Sequence, residues 1–373
     1  MPQAAHALLL TALACSAIAC QPTHPLDVYV SARNAIAAGN WTRANERVDE
    51  LMRIDEQPGD HVLRAEIHAG QGQVEPALAE LTIAIREGAG DPGSADWAEA
   101  LREEEIWRPL RGDPRFDALV AKAESMRWKP DRLAFDERSS GKPVTCRFSP
   151  VNNLYLTRLR RAHDLERLVS TTKGDLERVQ RICHWVHARC MKDGSSRGLP
   201  QDPIALLEAA DAGRRLRSVE LATVTAGCLC AVGVPARSVG AQSRDVETRR
   251  LGAGHVFVEA WLEDRQGWVF VDPELDVVGI AKDGTPLDAV AFRQALASKD
   301  PPIDYPASLA MCMHHFVTSI DQRYPIDSRS VGDAMLAPSG VAAPRAFQRE
   351  PVPTPRILTH CPADFHAPPA TAR

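Results

Sequence analysis

The chain has no apolar run long enough to cross a bilayer. Its most hydrophobic stretch lies within 7–19, well short of the about 20 residues a helical span needs. It also has no surplus of positive charge. Against 44 Lys and Arg stand 49 Asp and Glu, for a formal net charge of −5. Lysine is scarce, with seven against 37 arginines; the arginines are dispersed among acids, which reads as a coding bias rather than a basic patch. No global field recruits nucleic acid, and none is expected as a partner. With 44% hydrophobic and 25% charged residues, the composition is that of an ordinary globular protein, neither disordered nor collagen-like. A length of 373 residues leaves room for about two domains.

What is present begins with the short run LLLTALACSAIA, ending in small residues before Cys20. It fits the apolar region of a secretory signal over 1–20. Ala17-Ile18-Ala19-Cys20 resembles the lipobox of bacterial lipoproteins, and Ala12-Leu13-Ala14-Cys15 is a rival site. The resemblance implies export to the periplasm, with lipidated Cys20 anchoring the chain to the outer membrane; a cleaved signal without lipid is the plainer alternative. Setting aside Cys15 and Cys20 leaves seven of the nine cysteines, an odd number that forces at least one free thiol even in an oxidising compartment. Cys312 with Cys361 is a conceivable staple. Cys228 and Cys230, two apart on a helix, point about 200° apart and are poor partners.

Two regions follow different patterns. Over 27–128 the spacing is helical and repeats. Gly39-Asn40-Trp41-Thr42-Arg43-Ala44 is echoed 33 residues later by Gly72-Gln73-Val74-Glu75-Pro76-Ala77. Apolar positions follow each at helical spacing, Val48 and Leu51, then Leu81 and Ile85. The spacing resembles tetratricopeptide repeats, with Trp107 to Phe116 as the closing run; a small helical bundle reads equally well. Residues 129–149 mix Pro, Gly, Ser and charge and read as a linker. Residues 323–373 are Pro-rich without sustained periodicity and are expected to be extended or disordered.

Residues 150–322 carry the chemistry. Asp175 to Cys190 reads as an amphipathic helix with Cys183, His187 and Cys190 on one face. That is metal-like spacing with no fourth ligand, so buried thiols are preferred and no metal or cofactor is expected. Asp202 caps a helix opened by Pro203. A strongly apolar helix over 219–232 follows, ended by Gly233 and Pro235. Ser218 sits at its start, beside unpaired N–H groups and the positive end of the dipole; that place suits a nucleophile and a plain capping serine alike. Gly254 to Leu262 and Gly267 to Asp272 then read as a hairpin. With a two-residue loop His255 stands opposite Asp272; with a four-residue loop the partner moves one pair along, on the same face. Gly252 and Gly254 leave room around the imidazole. An acid beside the ring fixes its tautomer and stabilises the imidazolium, as acyl-transfer triads require.

This ordered set resembles the transglutaminase-like superfamily: a helix starting fifteen residues before Gly-Val-Pro-Ala-Arg, then Gly-Ala-Gly-His, then Gly-Trp-Val-Phe-Val-Asp-Pro. The resemblance implies an α+β papain-like core, helices packed on an antiparallel sheet, preceded by an all-α helical-repeat domain. It assigns His255 as base, Asp272 as its orienting acid, and the nucleophile position, usually Cys, to Ser218. A thiol can be drawn below neutrality by a helix N-terminus and an imidazolium. An aliphatic hydroxyl cannot, and needs a well-aligned general base during attack. Cys228 and Cys230 lie ten and twelve residues along the helix, at least about 15 Å away, and cannot substitute.

Three functional readings stand. One is an exported, impaired relative that binds peptide or cell-envelope material. Another is a working Ser-His-Asp amidase, esterase or acyltransferase. The last is a scaffold acting through its helical half. Other candidates are weaker: Cys312-Met313-His314-His315, whose adjacent rings are expected to point apart; Glu220, expected as an exposed helix glutamate; and Trp185 and Trp261, expected in the core.

Overall fold

A computed structural model describes residues 25–88, 94, 96–125, 130–191, 199–325 and 333–370. Cys15, Cys20 and the proposed signal lie outside these. Among the described residues no helix is long and apolar enough to cross a membrane. The chain divides into two compact units, one comprising residues up to 87 with 104–116, the other 88–103 with the remainder.

The first unit is built from two helical hairpins, α1 (Pro25–Ala37) with α2 (Trp41–Asp55), and α3 (Pro58–Gly70) with α4 (Val74–Glu87). The 33-residue echo is visible in the backbone. Gly39 and Gly72 both turn the chain with positive φ, +66° and +73°, a conformation that costs glycine little and other residues more. Asn40 caps α2 by accepting the Arg43 N–H at 3.2 Å. Val28, Ala32, Val48, Leu51, Leu63 and Ile67 form one core. The closing run buries Trp107, Leu110 and Phe116, and Arg115 forks onto Glu75 of α4 with two 2.8 Å bonds.

In the second unit, helices α5 (Trp97–Glu103), α6 (Pro114–Ser125, which begins in the first unit), α7 (Leu154–Ala162), α8 (Leu165–Val169), α9 (Asp175–Arg189), α10 (Pro203–Asp211) and α11 (Ser218–Ala231) precede most of the sheet. The sheet has seven strands in the order β11-β8-β6-β2-β3-β4-β5. These are β2 (Ala236–Gln242), β3 (Gly254–Leu262), β4 (Gly267–Asp272), β5 (Val277–Val278), β6 (His315–Thr318), β8 (Ala334–Leu336) and β11 (Ile357–Thr359). All neighbours are antiparallel except β8 with β11, so the sheet is mixed rather than purely antiparallel. Both faces of its centre are covered. Val258, Ala260 and Leu262 join α9, α10 and α11 in one core. Phe257 and Phe270 join α12 (Ala289–Leu296), α13 (Ala307–Ala310) and Phe316 in the other. Double burial explains why β3 and β4 read as continuous apolar runs. Helix α11 is buried from Glu220 to Ala231, which accounts for its all-round apolar sequence. Gly227 lets Pro203 approach closely; a Cβ there would lie 2.6 Å from the Pro203 ring.

Two sequence expectations are corrected. The stretch read as a linker packs into the second core through fully buried Val144 and Cys146. It also supplies β1 (Arg147–Phe148), paired in parallel with β7 (Asp321–Gln322). The tail expected to be extended or disordered supplies β8, β11, the hairpin β9 (Ala346–Phe347) with β10 (Glu350–Pro351), and α14 (Pro362–Phe365). The domain thus runs past 322. Apart from α14, both segments pack as short extended pieces of two or three residues, too brief for alternation to show.

Candidate active site

The β3–β4 register pairs Leu262 with Gly267 and Val258 with Val271, so the connecting loop, 263–266, has four residues. His255 and Asp272 are then diagonal neighbours on one face. The imidazole is 3% exposed and the carboxylate fully buried, with His255 Nε2 2.9 Å from Asp272 Oδ2. The Tyr305 hydroxyl donates to the same oxygen at 2.7 Å, and the Glu274 N–H to Asp272 Oδ1 at 3.0 Å. Burial alone would raise the Asp272 pKa, but the imidazole and these donors hold it below the usual carboxylate range. Burial likewise works against the imidazolium, and the Asp272 charge outweighs it, raising the His255 pKa. Tyr305, pushed well above 10 by burial and Asp272, stays protonated and acts as a donor. The second ring nitrogen, Nδ1, faces Glu274, 3.9 Å from Oε2.

Ser218 is the first residue of α11, half-buried, with Arg217 as the N-cap. Its Oγ accepts the backbone N–H of Val256, next to His255, at 3.4 Å. Among the described residues no Ser218–His255 hydrogen bond forms. The structure therefore brings His255 and Asp272 into contact and sets Ser218 beside β3, its Oγ on the Val256 N–H. Glu220 is not an exposed helix residue: it is fully buried, accepting the Arg217 N–H at 2.8 Å and pairing with the Arg217 guanidinium. It closes the first turn as in a capping box. Gly254 does not leave open room, because a Cβ there would fall 2.8 Å from the Phe347 ring.

The remaining candidates are placed elsewhere. Cys183 Sγ lies 3.8 Å from the Asp272 carbonyl oxygen and His187 Nδ1 3.1 Å from that of Pro273. Among the described residues no group of three or more His, Cys, Asp or Glu could hold a metal. Among the described residues no disulfide joins any of the seven cysteines, all of them buried, Cys312 and Cys361 included. Burial raises the Cys228 thiol strongly and pushes Cys230 up to about 12, so neither is a resting thiolate. His314 and His315 do not point apart: their Nδ1 atoms are 3.2 Å apart. The tight turn before β6 brings the rings together, and burial lowers His314 to about 4. Trp261 is buried as expected, while Trp185 is half-buried beneath the Arg189 guanidinium.

Sequence reading missed Tyr305 and Phe347, which lie in stretches without periodicity. It also missed a second charged cluster on the same strand. Arg237 pairs with Glu259 at 2.8 Å, both fully buried. His366 Nε2 is 2.8 Å from Glu259 Oε1, which also accepts the Ala289 N–H at 2.9 Å. The Arg237 guanidinium lies between the rings of Trp268 and Phe365, 4.4 and 4.5 Å from their centroids.

A family model for the transglutaminase-like superfamily matches residues 164–273, and this stretch is a transglutaminase-like domain. It contains Ser218, His255 and Asp272 and stops short of Tyr305 and the tail. Among solved structures, a candidate cysteine protease from Cytophaga hutchinsonii is similar at 13% identity and a TM-score of 0.27, over 38% of this chain and 49% of that one. The match thus spans about half the length of that protein. No curated protein matches the chain.

Proposed function

We propose that the protein is an exported, lipid-anchored transglutaminase-like protein whose acyl-transfer centre is weakened by Ser218. In this reading it binds peptide or cell-envelope material beside Ser218 and His255. The supporting observation is the bond from the Val256 N–H to Ser218 Oγ, in a site where the hydroxyl does not engage the imidazole. Acyl transfer would require Oγ to attack a carbonyl carbon while its proton passes to a ring nitrogen of His255. The imidazolium would then return that proton to the leaving amine. With Nε2 committed to Asp272, Nδ1 is the nitrogen left for this, and no Ser218–His255 bond leads the hydroxyl proton to it. Misplacement on the order of 1 Å at such a step costs about 100-fold.

A second reading, a working Ser-His-Asp amidase, esterase or acyltransferase, is favoured by the intact buried pair, with Asp272 ionised and oriented by three donors. The test compares wild type, Ser218→Ala and Ser218→Cys with a fluorophosphonate probe and a panel of amide and amine substrates. The expected result is activity only in Ser218→Cys. Labelling or turnover of wild type that disappears in Ser218→Ala would overturn the weakened reading in favour of the second.

A further inference from the structure

The tail hairpin β9–β10 is a tight turn in which Gln348 and Arg349 both take positive φ, 49° and 71°. Non-glycine residues rarely adopt that conformation. The chain is held there by the loop after β2: the Gln348 N–H donates to the Val246 carbonyl at 2.8 Å and the Arg349 N–H to that of Glu247 at 3.1 Å. Arg349 Nε adds a bond to the Thr248 carbonyl at 3.1 Å. So anchored, the hairpin delivers the Phe347 ring to Gly254, where its edge takes the volume of the missing Cβ, 2.8–2.9 Å from that position.

Side chains alternate along a strand, so Gly254, Val256 and Val258 share a face of β3. Val258 packs in the core that α11 helps to build, so this is the face α11 covers. Ser218, at the N-terminus of α11, meets the strand at Val256. Phe347 meets it at Gly254, two residues or about 7 Å further along. Between the two in the chain lies His255, whose ring by the same alternation turns to the other face. Beyond the N-terminus of α11 the Phe347 ring therefore borders the space in front of Ser218, where a group seated on that oxygen must sit.

We propose that Phe347 is a specificity-determining residue of this site. It walls the space in front of Ser218 on the α11 face of β3 and restricts the group next to the reacting carbonyl to small, unbranched acyl chains. The inference rests on the reading of Ser218, His255 and Asp272 as the site, and it adds a wall that lies outside the matched domain.

The test uses the full chain carrying Ser218→Cys, with alkylation of the new thiol followed by mass spectrometry. Iodoacetamide serves as the small reagent and N-phenylmaleimide as the bulky one. Adding Phe347→Ala is expected to raise the ratio of bulky to small rates at least tenfold, and Phe347→Leu by an intermediate factor. Phe347→Ala alone, with Ser218 retained, is expected to label no faster than wild type, showing that the opening is local. A ratio unchanged in both variants, with native circular dichroism, overturns the proposal; so does general labelling of the buried thiols. If Cys at 218 reacts with iodoacetamide no faster than free cysteine, the catalytic reading of the site fails instead. The ratio still decides the role of Phe347.

Discussion

Strand β3 carries two pairings of an imidazole with a carboxylate on the same face, His255 with Asp272 at one end and His366 with Glu259 further along. Their chemistry looks alike and their surroundings do not. The second pair is part of a larger charged cluster. Glu259 is fully buried and meets His366, Arg237 and the Ala289 N–H, while aromatic rings cover Arg237 on both sides. It fastens the tail to the sheet through Arg237 and the Phe365 carbonyl, 3.2 Å apart. The first pair commits one ring nitrogen to Asp272 and turns the other toward a partly exposed glutamate, beside a half-buried hydroxyl at a helix N-terminus. A His–carboxylate contact therefore marks no site by itself. What separates a candidate centre from a fastening is the company each pair keeps: a serine at a helix N-terminus bonded to the neighbouring backbone in the one, a second buried cation on the same carboxylate in the other.

The largest expected effect separates the two by stability. Glu259→Ala strands a buried guanidinium and is expected to cost about 3–5 kcal/mol, as removal of one partner of a buried ion pair does. Asp272→Asn keeps an acceptor for Tyr305 and is expected to cost less, about 1–3 kcal/mol. Urea unfolding of the full chain measures both. Equal losses would mean that the His255 pair is also a fastening.

A smaller effect is expected where the tail meets the site. Gly254→Ala drives a Cβ against the Phe347 ring and to 3.1 Å from the Ala241 carbonyl oxygen, an overpacking worth about 1–3 kcal/mol. Combining it with Phe347→Ala is expected to restore most of the loss. A double variant no more stable than the sum of its parts would show that the carbonyl, not the ring, is the obstacle.

Legibility followed the length of the elements. The helices of the first unit showed through their 33-residue echo because each hairpin needs a glycine turn and an apolar face. The β3–β4 hairpin and α11 showed because glycine and proline bound their long apolar runs. His255 and Asp272 followed from hairpin geometry alone, although the loop length was settled only by the register. The rest was hidden for a common reason. Tyr305, Phe347 and the His366 partner of Glu259 come from loops and short elements that pack by shape. Gln348-Arg349 occupies a turn whose usual residues are Asn and Gly, so no local signal announced it. Glu220 was misread because a helix N-terminus can bury a glutamate when an adjoining backbone N–H and guanidinium take up its oxygens.

The last comparison, read as a slope rather than a loss, uses a third buried carboxylate, in the first unit, to sharpen what the partners of Glu259 accomplish. Burial raises Glu66 to about 7; its Arg33 partner opposes the rise and nearby Glu104 adds to it. Burial also works against Glu259, yet His366 and Arg237 hold it down to about 2. The signs of the pH dependence are therefore opposite. Glu259, depressed from an ordinary value of 4.5, contributes stability above that pH, and the contribution is lost as pH falls toward about 2. Glu66, raised from the same ordinary value, contributes fully below it and loses the contribution as pH rises through about 7, by at most about 1.4 kcal/mol per pH unit. Glu66→Gln is expected to flatten the fall in stability of the full chain between these two values, read as the difference from wild type in denaturant unfolding at a series of pH values. An unchanged slope would mean that Arg33 alone keeps Glu66 ionised, and that one guanidinium suffices where Glu259 is met by two cations and a backbone donor.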